Sequence, residues 1–159
     1  MTHVTLITVG NLKEEYLRAA AKEYEMRLSG LASLTRVELS EERIRDEDDM
    51  TAVAAALRAE GERIIAKIPE GAYTVALCVE GKQYDSRELA ALIGERTAHS
   101  GRLCLIIGSS HGLSAEVKAR ADLRLSVSKL TFPHQLMRVL LLEILYRTFS
   151  IIAGKKYHK

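Results

Sequence analysis

Cysteine is scarce in this chain of 159 residues, with only Cys78 and Cys104 present. They stand 26 residues apart in two apolar runs, Thr74 to Val79 and Leu103 to Ile107, with no CxxC spacing and no histidine-rich stretch beside them. That pattern fits buried free thiols and not a zinc site, so no metal is expected. Long hydrophobic runs are also missing. The longest apolar stretch lies near the C-terminus and is interrupted by Arg138, Glu143 and Arg147, so no segment is expected to span a bilayer. No charged leader, apolar core and small-residue cleavage site precede the strand-like Val4-Thr5-Leu6-Ile7-Thr8-Val9. No secretory signal is expected, and the expected compartment is the cytoplasm. The sequence has no linker, internal repeat or low-complexity tract, so residues 1–159 read as one domain. Neither a P-loop nor a GxGxxG fingerprint is present.

What is present is the composition of a globular protein, 47% hydrophobic and 28% charged, in a chain long enough for one real core. The formal net charge of +2 conceals a split. Residues 1–117 hold 14 Lys/Arg and 19 Asp/Glu, a net of −5; residues 118–159 hold 9 and 2, a net of +7. The C-terminal quarter therefore either faces an anionic partner such as RNA or is an ordinary solvated face.

Strand and helix patterns alternate along the chain. Val4–Val9, Leu34–Leu39, Tyr73–Val79, Leu103–Ile107 and Leu123–Val127 read as strands. The third and fourth are almost continuously apolar, as strands covered on both faces should be. Lys13–Leu28, Met50–Lys67, Ser86–His99 and a short stretch capped by Ser114 read as helices. Asp85 is as good a cap as Ser86 for the third of these. Glu41–Asp49 reads as an exposed charged loop. A last helix, His134–Ile152, carries apolar residues around most of its circumference. Such a helix is buried on more than one side, either as both core and dimer interface or within one subunit. The order predicts an α/β fold, a parallel sheet with helices on both faces, with ligands at the carboxyl ends of the strands.

Three stretches could carry chemistry. Ile106-Ile107-Gly108-Ser109-Ser110-His111-Gly112-Leu113-Ser114 runs from strand to helix start, and reads equally as a plain turn or as a cofactor loop. Ser126-Val127-Ser128-Lys129-Leu130-Thr131-Phe132-Pro133-His134-Gln135 joins the fifth strand to the last helix at the carboxyl edge of the sheet. The tail, Gly154-Lys155-Lys156-Tyr157-His158-Lys159, pairs an aromatic with basic residues. It could stack on a base and contact phosphates, or be a frayed basic terminus.

These stretches carry a resemblance. Leu125 through Val139, then Glu143, Leu145-Tyr146-Arg147 and Tyr157-His158-Lys159, are similar to the ribosomal RNA large subunit methyltransferase H family, small members of the SPOUT class. Val9-Gly10 with Lys13, Val79-Glu80-Gly81-Lys82 and Ile107-Gly108…Gly112-Leu113-Ser114 also fit, so the resemblance covers essentially the whole chain. It implies a C-terminal trefoil knot, which ordinary topology rules would exclude. It implies binding of S-adenosylmethionine, without a metal, by Leu77, Gly108 and the run Val127, Ser128, Lys129, Leu130, Thr131 and Phe132. It implies a homodimer that methylates N3 of a pseudouridine in 23S ribosomal RNA, in the assembled ribosome.

On that footing His158 is the first candidate to contact the target base, with Tyr157 stacking on it. Arg147 is a candidate for a phosphate or the developing anion. Glu143, four residues earlier, either takes part in catalysis or simply pairs with Arg147 on the helix. His134 reads better as a loop-ordering residue than as a base, and Arg138 as either RNA-facing or structural. Ser109 departs from relatives that carry a second glycine there, and would be strained if the position needs a positive φ. The competing readings are a non-enzymatic RNA-binding factor, a methyltransferase with another RNA target, and a small-molecule nucleotide-binding domain.

Overall fold

The computed structural model describes residues 1–157. Ten elements alternate: β1 (Thr2–Val9), α1 (Glu15–Leu28), β2 (Ala32–Leu39), α2 (Met50–Ile65), β3 (Tyr73–Lys82), α3 (Ser86–Thr97), β4 (Arg102–Ile107), α4 (Ala115–Arg120), β5 (Leu123–Leu125) and α5 (His134–Ile152). The strands form one parallel sheet in the order β2-β1-β4-β3-β5.

Side chains along the central strands alternate between two buried clusters, as a period of two requires. Val4, Leu6, Val75, Leu103 and Leu105 face α1, α3 and α5, while Ile7, Val9, Ala76, Cys104 and Ile106 face α2 and α4. Steps along the sheet in one direction use α1 and α3, and steps in the other use α2 and α4. That is the arrangement a single crossover hand imposes. The parallel sheet with helices on both faces is thus as expected, and both cysteines are buried and free.

Local chemistry sets the helix starts. Asp49 caps α2 by accepting from Thr51 and Ala52 N–H, and Ser114 caps α4 through Val117 N–H. Asp85, not Ser86, caps α3, in a reciprocal capping box with Glu88. At α5 the sequence offers only Pro133, whose side chain cannot cap. There the anchoring comes from distant residues: Gln135 Oε1 accepts from Lys13 N–H at 3.0 Å.

Helix α5 lies against α1 and α3. Leu141, Leu142, Leu145 and Phe149 are buried within the chain. Leu136, Leu140, Ile144 and Ile151 remain partly exposed, and Ile152 is exposed. Strand β5 is shorter than its sequence pattern, ending at Leu125 instead of Val127. Ser126 N–H donates to Lys82 O at 2.9 Å, and its hydroxyl donates to Ser128 O at 3.1 Å. These bonds turn the chain out of the sheet, so that Val127 lines a cavity and not the sheet core.

Candidate active site

The carboxyl ends of β3, β4 and β5 open into a cavity of about 380 Å³, within the size range of small-molecule sites. Leu77, Gly108, Val127, Ser128, Leu130, Thr131 and Phe132 line it, together with Cys78, Ser109, His134 and Met137. Seven of the eight residues expected at the cofactor are therefore brought together from three separate parts of the sequence. Lys129, the eighth, is exposed on the same loop and does not line the cavity.

Two glycines shape the β4 side of this cavity. A Cβ on Gly108 would meet the backbone oxygen of Gly112 at 2.2 Å and the Leu113 side chain at 2.9 Å. No other residue fits there without moving backbone. Gly112 has φ +90° and closes a tight turn by donating its N–H to Ser109 O at 2.9 Å. The conformational burden in this loop thus falls on Gly112. No residue other than glycine has a positive φ among the described residues, so Ser109 sits there without backbone strain. The Ser109 hydroxyl donates to Glu60 Oε1 at 3.0 Å. Sequence reasoning passed over Glu60, because an acidic residue in an alanine-rich helix looks like a solvent-facing one. Its one distinguishing sign is the neighbouring Gly61, in a helix that otherwise lacks glycine.

The other candidates lie on α5 and in the tail beyond it. Arg147 donates to Glu143 Oε1 from Nη2 at 2.6 Å and from Nε at 3.0 Å. Tyr157 donates to Glu143 Oε2 at 2.9 Å. The Arg147 guanidinium lies 4.7 Å from the centre of the Tyr157 ring, which meets Tyr146 edge-on at 4.5 Å. Burial first, and the Glu143 carboxylate second, raise the Tyr157 phenol above its ordinary value. A phenol held in that way is a hydrogen-bond donor and a poor base. Glu143 has both oxygens engaged. His158, the fourth candidate, lies outside the described residues.

None of Glu143, Arg147 and Tyr157 lines the cofactor-sized cavity. Arg147 borders a neighbouring one of about 260 Å³, with Tyr84, Ser126 and Thr148. Leu125 and Val127 border both cavities, so the chain leaving β5 is their common boundary. Arg138 proves structural. Its Nη2 donates to Thr8 Oγ1 at 2.8 Å and to Gly10 O at 2.7 Å, and its Nη1 to Glu38 at 3.3 Å. His134 borders the cofactor-sized cavity and a polar one formed by Gly10, Asn11 and Glu41.

Among the described residues no group of three or more His, Cys, Asp or Glu side chains is placed to hold a metal ion. No helix among them is long and apolar enough to cross a membrane.

A family profile described as "Predicted SPOUT methyltransferase" matches residues 2–158. The chain is 46% identical over 158 residues to the ribosomal RNA large subunit methyltransferase H of Clostridium novyi, covering 99% of both. It is 46% identical to the protein of that name from Bifidobacterium adolescentis and 43% to that from Carboxydothermus hydrogenoformans, in each case covering 98% of this chain and 99% of the relative. With the cavity at the strand ends and a match running through both loops that form it, the chain belongs to the ribosomal RNA large subunit methyltransferase H family of the SPOUT class.

Proposed function

We propose that this protein transfers a methyl group from S-adenosylmethionine to N3 of a pseudouridine in 23S ribosomal RNA, on the assembled ribosome. One observation carries the reading: seven residues expected at the cofactor, from three separate stretches of sequence, line a single cavity at the sheet's carboxyl edge. The relatives' name, ribosomal RNA large subunit methyltransferase H, supplies the substrate class.

The residues present fit such a cofactor. Leu77, Leu130 and Phe132 offer apolar surface for a nucleoside ring. Gly108, bare of any Cβ, lets the Gly112 backbone pack against it, and the compact 108–112 turn so formed makes one wall of the cavity. When bound, the cofactor supplies an activated methyl group. The chain's own task is to orient the acceptor base and manage the proton that N3 must lose. Arg147 is assigned the developing negative charge, and Tyr157 a stacking contact with the base. Glu143 keeps the Arg147 fork and the Tyr157 hydroxyl in place. His158 is assigned the contact with the base through which the proton leaves.

The single domain is read as knotted, with the segment after β5 passing inside the β3–α3 connection. This is supported by the Ser126–Lys82 bond, by Gly81 packed too tightly against Arg124 and Leu125 backbone for any Cβ, and by α5 reaching both α1 and α3. The protein is read as a homodimer working in the cytoplasm, where ribosomes are, with one subunit binding cofactor and the other lending its tail. Exposed Val79, Leu130 and Phe132 near the cavity and Ile152 on α5 support a covered face.

The test is to incubate the protein with methyl-labelled S-adenosylmethionine and ribosomes from cells lacking the activity, then map the label. The expected result is label on one pseudouridine of the large-subunit RNA. Cofactor binding without label there would move the target elsewhere. No cofactor binding at all would leave a non-enzymatic RNA-binding factor as the better account.

A further inference from the structure

Glu60 is the one acidic side chain that α2 buries, at 3% exposure. A carboxylate is rarely buried so fully unless its oxygens are satisfied. Both are. Ser109 Oγ donates to Oε1 at 3.0 Å, and the backbone N–H of Glu42 donates to Oε2 at 2.9 Å. The two donors come from different loops. Ser109 opens the 109–112 turn that borders the cofactor-sized cavity, while Glu42 belongs to the charged, mostly exposed 40–49 loop.

A second close approach lies just beyond the same turn. A Cβ on Gly61 would overlap Ser114 Oγ, so only glycine lets α2 come this near. That close approach lets α2 press on the residue that caps α4. Consecutive residues of α2 therefore bond the entry of the 109–114 segment and pack against its exit. A looser link joins the same two loops outside, with His111 Nε2 3.8 Å from Glu47. Glu60 itself is buried and does not line the cavity, so it acts on a ligand there only through other residues.

We propose that Glu60 is a positioning residue: its buried carboxylate holds Ser109, and through it the 108–112 turn, in the geometry that receives the cofactor. This rests on the reading of that cavity as the S-adenosylmethionine site. A glycine at position 109 could not make this bond. The serine here thus acts as the anchor by which the loop is tied to α2.

The amide of Glu60→Gln can serve both partners, since its carbonyl accepts from Glu42 N–H and its NH₂ donates to the Ser109 oxygen. Glu60→Ala serves neither. The test measures S-adenosylhomocysteine binding by calorimetry and amide hydrogen exchange of residues 108–112, on the full chain, for Glu60→Ala, Glu60→Gln, Ser109→Ala and the Glu60→Ala/Ser109→Ala pair. Ile64→Ala, a cavity elsewhere in α2, serves as a control for lost stability alone. Losing a hydrogen bond to a charged group should weaken binding and speed exchange in Glu60→Ala by about tenfold. Glu60→Gln should stay within about threefold of the parent. The double variant should be no worse than about twofold beyond Glu60→Ala, because both changes break one link.

The proposal fails if Glu60→Ala binds as the parent does, or if Ile64→Ala weakens binding equally at a matched loss of thermal stability. A parent protein that binds no S-adenosylhomocysteine would overturn the cofactor reading instead. Hydrogen exchange would still decide the tether in that case, and unchanged exchange in Glu60→Ala would sink it.

Discussion

Arg138 and Arg147 stand nine residues apart on α5, two and a half turns at 3.6 residues per turn, so they point to opposite sides. Each pairs with a glutamate, yet their surroundings differ. The Arg138 side chain is 6% exposed and spends its donors on β1 and Glu38, residues far away in sequence. The Arg147 side chain is 30% exposed, and its partner is one helical turn away. Arg138 fastens the start of α5 to the end of β1 and so fixes one wall of the cavities that His134 borders. Arg147 ties no distant strand to α5, and on the proposed function it is the arginine that meets the anion. Charge alone could not separate the two; the sequence distance to their partners does.

The comparison breaks most sharply on substitution. Arg138→Met leaves the buried Thr8 hydroxyl and the Gly10 carbonyl without their donor. It should cost about 3 kcal/mol of stability, the scale for breaking a buried charged pair, read from urea or thermal unfolding. Arg147→Ala should change stability by less than about 1 kcal/mol, as a half-exposed i,i+4 pair would. It should nevertheless lower methylation about 100-fold, as removal of one donor from a developing anion does. Equal losses of stability in the two variants would erase the distinction. An active Arg147→Ala enzyme would remove Arg147 from the chemistry.

Tyr157→Phe sharpens the Arg147 side. The ring remains for the guanidinium to lie on, and only the hydrogen bond to Glu143 is lost. One such bond is worth about 1 kcal/mol at most to stability, and looser positioning of Glu143 and Arg147 should lower the rate about fivefold. A loss as large as that of Arg147→Ala would mean that the hydroxyl acts on the substrate and does not merely hold Glu143.

What sequence could reveal divides along the same line. The strands, their parallel sheet and the starts of α2, α3 and α4 are legible because they rest on local patterns of polarity and capping. The end of β5 is not, because Leu123 to Val127 alternates like a strand. Only the distant Lys82 carbonyl shows where the chain departs. The apolar circumference of α5 is legible in the sequence, and what covers each side of it is not. Much of the cover comes from α1 and α3 of the same chain. Arg138 stayed ambiguous, and Glu60 unnoticed, for one reason: each is defined by partners at separations no local pattern encodes. Family resemblance, not periodicity, named the eight residues of which seven line one cavity. Periodicity alone reaches only the statement that a ligand belongs at the strand ends.

The smallest effect concerns pH, and it decides how an activity profile can be used to compare the two arginines. Cys104 is completely buried in the centre of the sheet. Burial pushes its thiol from an ordinary value near 9 up to about 12. In the unfolded chain the thiol ionises near pH 9, while in the folded protein it stays neutral. The folded state therefore holds more protons between these values, and stability falls as pH rises through the window. The contribution is fully present below pH 9, and its slope above that is at most about 1.4 kcal/mol per pH unit. Cys104→Ala should flatten the alkaline decline in unfolding free energy, though it will lower stability at neutral pH by leaving a small cavity. If the decline is unchanged, other groups cause it. Below pH 9 this thiol contributes no pH-dependent change in stability. A difference in rate between the parent and Arg147→Ala that varies with pH in that range then reports on the acceptor's proton and not on unfolding linked to Cys104.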